Sequence, residues 1–288
     1  MKRFVCYFCL LFILATAAPA IAASIVVNHE NWDLYNSQDQ STFDRVGQQR
    51  VFFSHASVGG NITNGLTALR SSNATTYQLV VTGEDSTPPS TTLPGRFYDF
   101  SRGNPGWQAK MDNYRTYTAN GWSSPKIDFS MDKLCYIDQA ANVNYYLGLM
   151  QELSTSNPDT HFVYWTIPLT TSTGSDNVLR NNYNKAVREY AASHDVILFD
   201  IADIEAWSPS GVEQTFVYNG LTYQRLYSAY TGDGGHLNSA GAQRVGIGLY
   251  SLLAEATEPQ APVPAPAALI LFSSGLIGLI GIKRIRNR

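Results

Sequence analysis

Cysteine is nearly missing from this 288-residue chain. Of the three present, Cys6 and Cys9 fall in an apolar run at the N-terminus, which leaves Cys135 alone. One thiol closes no internal disulfide, so packing has to supply the stability. A Cys-x-x-Cys metal or redox reading of Cys6 and Cys9 fails because both lie inside that run. Positive charge is scarce as well. Residues 23–258 hold 14 basic and 23 acidic side chains, a net charge of −9. A phosphate backbone needs a basic face, so nucleic acid is excluded as a partner. Internal repeats are absent, which excludes a repeat array. What is abundant is core material. An apolar share of 44% with 12% aromatics excludes wholesale disorder.

The two ends carry their own patterns. Met1-Lys2-Arg3 precedes an apolar stretch over residues 4–18, and Ala20-Ile21-Ala22 supplies small-x-small. This reads as a secretory signal cut by signal peptidase, with the mature chain starting at Ala23. Residues 23–258, 236 in all, fit one large α/β unit or one all-β domain better than two cores. Residues 259–288 hold a Pro-rich linker, sixteen uncharged residues (267–282) and then Lys283, Arg284, Arg286 and Arg288. At ~1.5 Å per residue, sixteen helical residues span about 24 Å, slightly under a typical hydrocarbon core. The cations are expected to stay cytoplasmic and the domain outside, held to the membrane by this segment.

That tail resembles the sorting signals of the PEP-CTERM class in their VPxPA-type form. The matching residues are Val263-Pro264-Ala265-Pro266-Ala267-Ala268-Leu269, Leu271-Phe272, Gly275-Leu276-Ile277-Gly278-Leu279 and the basic cluster. The strict Pro-Glu-Pro triplet is absent. The resemblance implies a Gram-negative envelope protein processed by an exosortase-type transpeptidase, in systems associated with exopolysaccharide.

Between the ends, strand-like and helix-like stretches alternate. Strands are expected over residues 50–54, 77–81, 127–136, 161–167 and 196–199. Helices are expected over 58–70, 107–117, 142–153, 177–193 and 240–253. Residues 83–105 and 201–232 read as long loops. Five βα units imply a parallel sheet with helices on both faces and function at the carboxyl ends of its strands.

Two segments there carry chemistry. Ser57-Val58-Gly59-Gly60 follows the first strand, a turn that exposes a hydroxyl at a helix N-terminus. The bland reading is a helix N-cap. Thr231-Gly232-Asp233-Gly234-Gly235-His236-Leu237-Asn238 precedes the last helix, with an acid three residues before a histidine. Such a carboxylate can hold the imidazole Nδ1–H while Nε2 faces a serine, although a turn former and a loop histidine would look the same. Both segments fall on one sheet edge.

Together, Ser57-Val58-Gly59 and Asp233-Gly234-Gly235-His236-Leu237-Asn238-Ser239-Ala240-Gly241 resemble the SGNH/GDSL hydrolases. The resemblance implies a flavodoxin-like three-layer α/β fold with a five-stranded parallel sheet, no metal and no cofactor. It implies Ser57 as nucleophile, His236 as general base and then acid, and Asp233 as the orienting carboxylate. Oxyanion donors would come from Gly59 and from Gly103-Asn104-Pro105-Gly106, here Gly103 or Asn104. The family's Gly-Asp before the serine is His55-Ala56 here. Its Gly-x-Asn-Asp segment is replaced by Lys133-Leu134-Cys135-Tyr136-Ile137-Asp138. The substrate implied is an acylated carbohydrate or a small ester. The alternative is an envelope or matrix protein that keeps the fold and binds without catalysis. His55 reads as structural, Cys135 as buried, and Asp200, Asp203 and Glu205 as a solvated loop cluster. Trp107, Trp122, Trp207, Tyr218, Tyr223 and Tyr227 read as cover for a core edge rather than as sugar platforms.

Overall fold

The computed structural model describes residues 24–259. The expected N-terminal signal and the C-terminal sorting segment lie outside the described residues. Among the described residues no helix is long and apolar enough to cross a membrane.

Short runs make the strands, and those at the centre of the sheet are buried on both faces. The strands are Ile25–Val27 (β1), Arg50–His55 (β2), Val80–Gly83 (β3), Arg96–Ser101 (β4), Phe129–Asp132 (β5), His161–Trp165 (β6) and Ile197–Phe199 (β7). All pair in parallel, in the order β1-β7-β6-β5-β2-β4-β3. The helices are Gln40–Val46 (α1), Val58–Ser72 (α2), Trp107–Ala119 (α3), Val143–Ser156 (α4), Ser175–Ala191 (α5), Ile201–Ala206 (α6) and Ser239–Ala256 (α7). Thr215–Tyr218 (β8) and Leu221–Gln224 (β9) form a separate antiparallel hairpin.

The alternation of each strand builds two cores, one per face. In β2, Val51 and Phe53 join α2 and α7, while Phe52 joins α3, α4 and α5. In β6, Val163 and Trp165 face the first core and Phe162 and Tyr164 the second. Each large apolar side chain fully buried this way contributes about 1.5–3 kcal/mol. The result is a flavodoxin-like three-layer α/β sandwich. From β2 the chain runs outward to β3 and β4, then crosses back to β5. A crevice therefore opens beyond the carboxyl ends of β2 and β5, where the order reverses and ligands of such sheets bind.

The sheet has seven strands where the sequence reading gives five. One addition is β1, a three-residue edge strand. The other, β4, lies inside the Ser/Thr/Pro/Gly-rich stretch read as a loop. Its Asp99 is paired rather than solvated, bound to His55 of β2. The stretch 201–232 likewise holds α6 and the β8–β9 hairpin. The strand expected over 127–136 is only Phe129–Asp132, and its polarity has partners. Asp128 accepts from Arg50 Nε at 3.0 Å. Asp132 takes a two-pronged bond from Arg102, 2.7 and 2.8 Å, with both side chains fully buried.

Candidate active site

Ser57 stands at the end of β2 with φ 56° and ψ −113°. A non-glycine residue there stores strain of about 1–3 kcal/mol. Three contacts hold it. The Ala56 carbonyl accepts from the Gly59 N–H at 3.1 Å and from the Cys135 thiol at 3.3 Å, and the Ser57 carbonyl accepts from Gly60 N–H at 2.8 Å. Gly59 is required by close approach, because a Cβ there would lie 2.3 Å from His55 Cγ. His55 is buried and cannot yield, since its Nε2 is hydrogen-bonded to Asp99. Although Ser57 occupies the N-cap position of α2, its side chain caps nothing. The hydroxyl is left for another partner.

That partner comes from the loop before α7. An antiparallel bridge between Thr231 and Leu237 closes the loop, and Asn61 of α2 accepts the Leu237 N–H at 3.2 Å. Inside it, Asp233 Oδ1 accepts from the N–H groups of Gly235 (3.0 Å) and His236 (2.8 Å). Its Oδ2 lies 2.6 Å from His236 Nδ1, and His236 Nε2 lies 2.6 Å from Ser57 Oγ. The Gly235 N–H, then the His236 side chain and N–H, hold the Asp233 carboxyl well below the usual range. An ionised Asp233 keeps the proton on Nδ1 and leaves Nε2 to accept from the serine. Ser57, His236 and Asp233 thus form one hydrogen-bonded chain.

The remaining oxyanion candidates are placed differently. The Gly59 N–H is engaged with Ala56. Gly103 and Asn104 lie exposed after β4 and form no hydrogen bond with Ser57, His236 or Asp233. The backbone N–H groups of Ser57 and Val58, by contrast, meet no acceptor among the described residues. They sit at the positive end of α2, where an anion is stabilised.

Tyr136, given no role in the sequence beyond its place in the segment that replaces Gly-x-Asn-Asp, reaches the site from the end of β5. Its hydroxyl lies 3.4 Å from His236 Nδ1, and its ring packs edge-on to the imidazole at 5.4 Å. Burial, then the Asp233 charge, push its phenol above the usual value. Beneath it, Asp138 Oδ2 accepts from the Cys135 N–H at 2.7 Å and from buried Lys110 Nζ at 2.6 Å.

The acidic cluster after β7 corrects the solvated reading. Asp200, Asp203 and Glu205 are buried on or beside α6. Arg188 and Thr166 bind Asp200, His29 and Gln224 bind Asp203, and the Leu169 N–H donates to Glu205. Cys135 is buried as expected. Trp207 stacks on His29 at 3.8 Å at the margin of the first core, as expected, whereas Trp122 stacks on Phe52 at 4.2 Å fully buried inside the second. Among the described residues no group of three or more His, Cys, Asp or Glu is gathered to hold a metal ion.

No protein-family model matches this sequence, and no curated protein matches it. Solved structures with partial likeness include a Bacteroides fragilis protein described as an acylhydrolase. It is 13% identical, covering 73% of this chain and 88% of its own, with a TM-score of 0.48. A lipolytic protein of the G-D-S-L family from Desulfitobacterium hafniense is 10% identical over 71% of this chain and 99% of its own, TM-score 0.41. A mutant acetyl-xylooligosaccharide esterase from Geobacillus is 9% identical over 73% and 96%, TM-score 0.44. Likeness at this level carries no functional argument, so function has to be argued from the site.

Proposed function

We propose that this chain is a serine ester hydrolase of the SGNH type, with Ser57, His236 and Asp233 as its triad. The observation that carries the reading is the Ser57 Oγ to His236 Nε2 to Asp233 hydrogen-bond chain on a strained turn. In the reaction, Ser57 Oγ attacks the ester carbonyl while its proton passes to His236 Nε2. The carbonyl electrons move onto oxygen, where the free Ser57 and Val58 N–H groups receive the charge. Collapse expels the alcohol, which takes the proton back from His236. Water, activated by the same imidazole, then releases the acid from Ser57.

An acylated carbohydrate is the finer reading. Between α2 and the start of α7, next in sequence to His236 but not lined by the triad itself, a cavity of about 320 Å³ carries the side chains of Asn61, Asn64, Asn238, Ser239 and Gln243 among Gly65, Ala68, Leu237 and Ala242. Amide and hydroxyl groups without charge suit a sugar better than a lipid chain or an ion. Export and anchoring belong to the same proposal. The N-terminal signal and the PEP-CTERM-like tail support an envelope location, and N-terminal sequencing of the exported protein should begin at Ala23.

The test is labelling of the full chain by a fluorophosphonate probe, with Ser57→Ala as control. Labelling that vanishes in the variant supports an activated serine. No labelling of folded wild-type protein would sink the reading and favour a binding role.

A further inference from the structure

The ester hydrolase reading leaves the Tyr136 hydroxyl without a task, and its position is too specific for packing alone. Among the described residues its hydrogen-bond partner is His236 Nδ1, at 3.4 Å. That nitrogen already carries the proton given to Asp233 Oδ2 at 2.6 Å, so it has no lone pair to offer. The phenolic proton is therefore unspent among the described residues. The same imidazole joins the phenol to the nucleophile, since His236 Nε2 lies 2.6 Å from Ser57 Oγ.

The side chain is also held firmly. Arg180 Nε donates to the Tyr136 carbonyl at 2.5 Å, and the Asp138 cap locks the turn that carries it. The ring lies against the backbone of Gly235 and edge-on to His236. Because β5 is the neighbour of β2, Tyr136 faces the serine turn across the crevice where the strand order reverses. A neutral donor fixed beside an attacking serine matches what a tetrahedral intermediate requires.

We propose that the Tyr136 hydroxyl donates a hydrogen bond to the oxyanion formed when Ser57 attacks an acyl group, alongside the Ser57 and Val58 N–H groups. No proton is transferred. The hydrogen bond forms as the carbonyl oxygen gains charge and is released when the carbonyl re-forms. This makes Tyr136 a catalytic residue, and it rests on the ester hydrolase reading above.

Tyr136→Phe in the full chain tests it, because it keeps the ring and removes only the hydroxyl. With p-nitrophenyl acetate as probe, kcat should fall roughly 10²–10³-fold, the range for loss of one oxyanion donor. KM should stay within about twofold, and the acid limb of the pH profile should not move. A kcat within twofold of wild type overturns the inference. So does a shifted acid limb with kcat retained, which would mean that Tyr136 acts through His236. Should the variant fail to fold, 3,5-difluorotyrosine at position 136 gives a second measurement. Its more acidic phenol loses its donor proton earlier, so the alkaline loss of kcat should move to lower pH; an unmoved alkaline limb overturns the inference. Wild-type chain that shows neither Ser57-dependent labelling nor turnover removes the hydrolase reading and this role with it. An active wild type with an unimpaired Tyr136→Phe removes this role alone.

Discussion

The Ser57 hydroxyl meets His236 Nε2 at 2.6 Å although 179 residues separate them in the chain. Their meeting depends on how closely α2, which begins just after Ser57, packs on α7, which begins just after His236. At Gly65 of α2, a Cβ would lie 2.4 Å from the carbonyl oxygen of Ala242 in α7. Helix propensity favours alanine over glycine by up to about 1 kcal/mol. A backbone carbonyl, however, moves only with its whole helix, and overpacking of that kind costs about 1–3 kcal/mol. Gly65→Ala should therefore lower the denaturant midpoint and slow fluorophosphonate labelling, two helical turns away from Ser57. An unchanged labelling rate would show that the helix spacing does not set the dyad.

Asp233 fixes the tautomer of His236, and Asp233→Asn removes that control. The amide would present a donor where Nδ1–H also donates, which favours the tautomer whose Nε2 carries the proton and accepts nothing from Ser57. The expected loss in kcat on p-nitrophenyl acetate is roughly 10²–10⁴-fold, with KM little changed. Because the wild-type carboxyl is held well below the usual range, it stays ionised across the working pH. The acid limb of kcat/KM should then carry no second proton from Asp233. A two-proton limb would contradict this.

Much of the fold is legible in the sequence because alternating βα stretches carry their own periodicity. Ser57 and the Asp233–His236 pair also stand out locally, as residues at a strand end and before a helix. What escapes is whatever depends on sheet order. Strand β4 hides because Arg96 and Asp99 look solvated until His55 of the neighbouring β2 is placed beside Asp99. Asp200, Asp203 and Glu205 look like a loop cluster because their partners Arg188, His29 and Leu169 lie 12, 174 and 36 residues away. Tyr136 is marked only by lying in the segment that replaces Gly-x-Asn-Asp, which assigns it no role. It enters the site only because β5 pairs with β2.

The buried Arg102–Asp132 pair joins the ends of β4 and β5 beside the site, with Arg102 Nη2 also donating to the Lys133 carbonyl at 2.9 Å. Removing one partner leaves a buried charge unpaired, which costs about 3–5 kcal/mol. Replacing both by apolar residues of similar size removes that penalty. Arg102→Met alone should therefore lower the urea midpoint sharply, and Arg102→Met with Asp132→Leu should recover most of the loss. A double variant as unstable as the single one would show that the pair organises the strand ends rather than only neutralising each other.

Glu205 gives the chain a stability that falls toward alkaline pH. Its carboxyl is fully buried, with one oxygen accepting from the Leu169 N–H and the other, Oε2, unpartnered. Burial raises its pKa from 4.5 to about 8, against the pull of the nearby Lys133 and Arg180 cations. Between those two values the folded chain holds a proton that the unfolded chain has released, so stability declines as pH rises. The contribution is intact below about pH 4.5 and is lost through about pH 8, with a size on the order of a few kcal/mol. His161 opposes it, because partial desolvation at the start of β6 holds its imidazole below the usual value and disfavours the folded state in acid. The comparison with Glu205→Gln cancels that opposing effect. Thermal midpoints of wild type and variant should nearly coincide at pH 5, and the variant should melt several degrees higher at pH 8. Parallel curves across that range would mean that Glu205 is ionised in the folded chain, with Lys133 as its counterion.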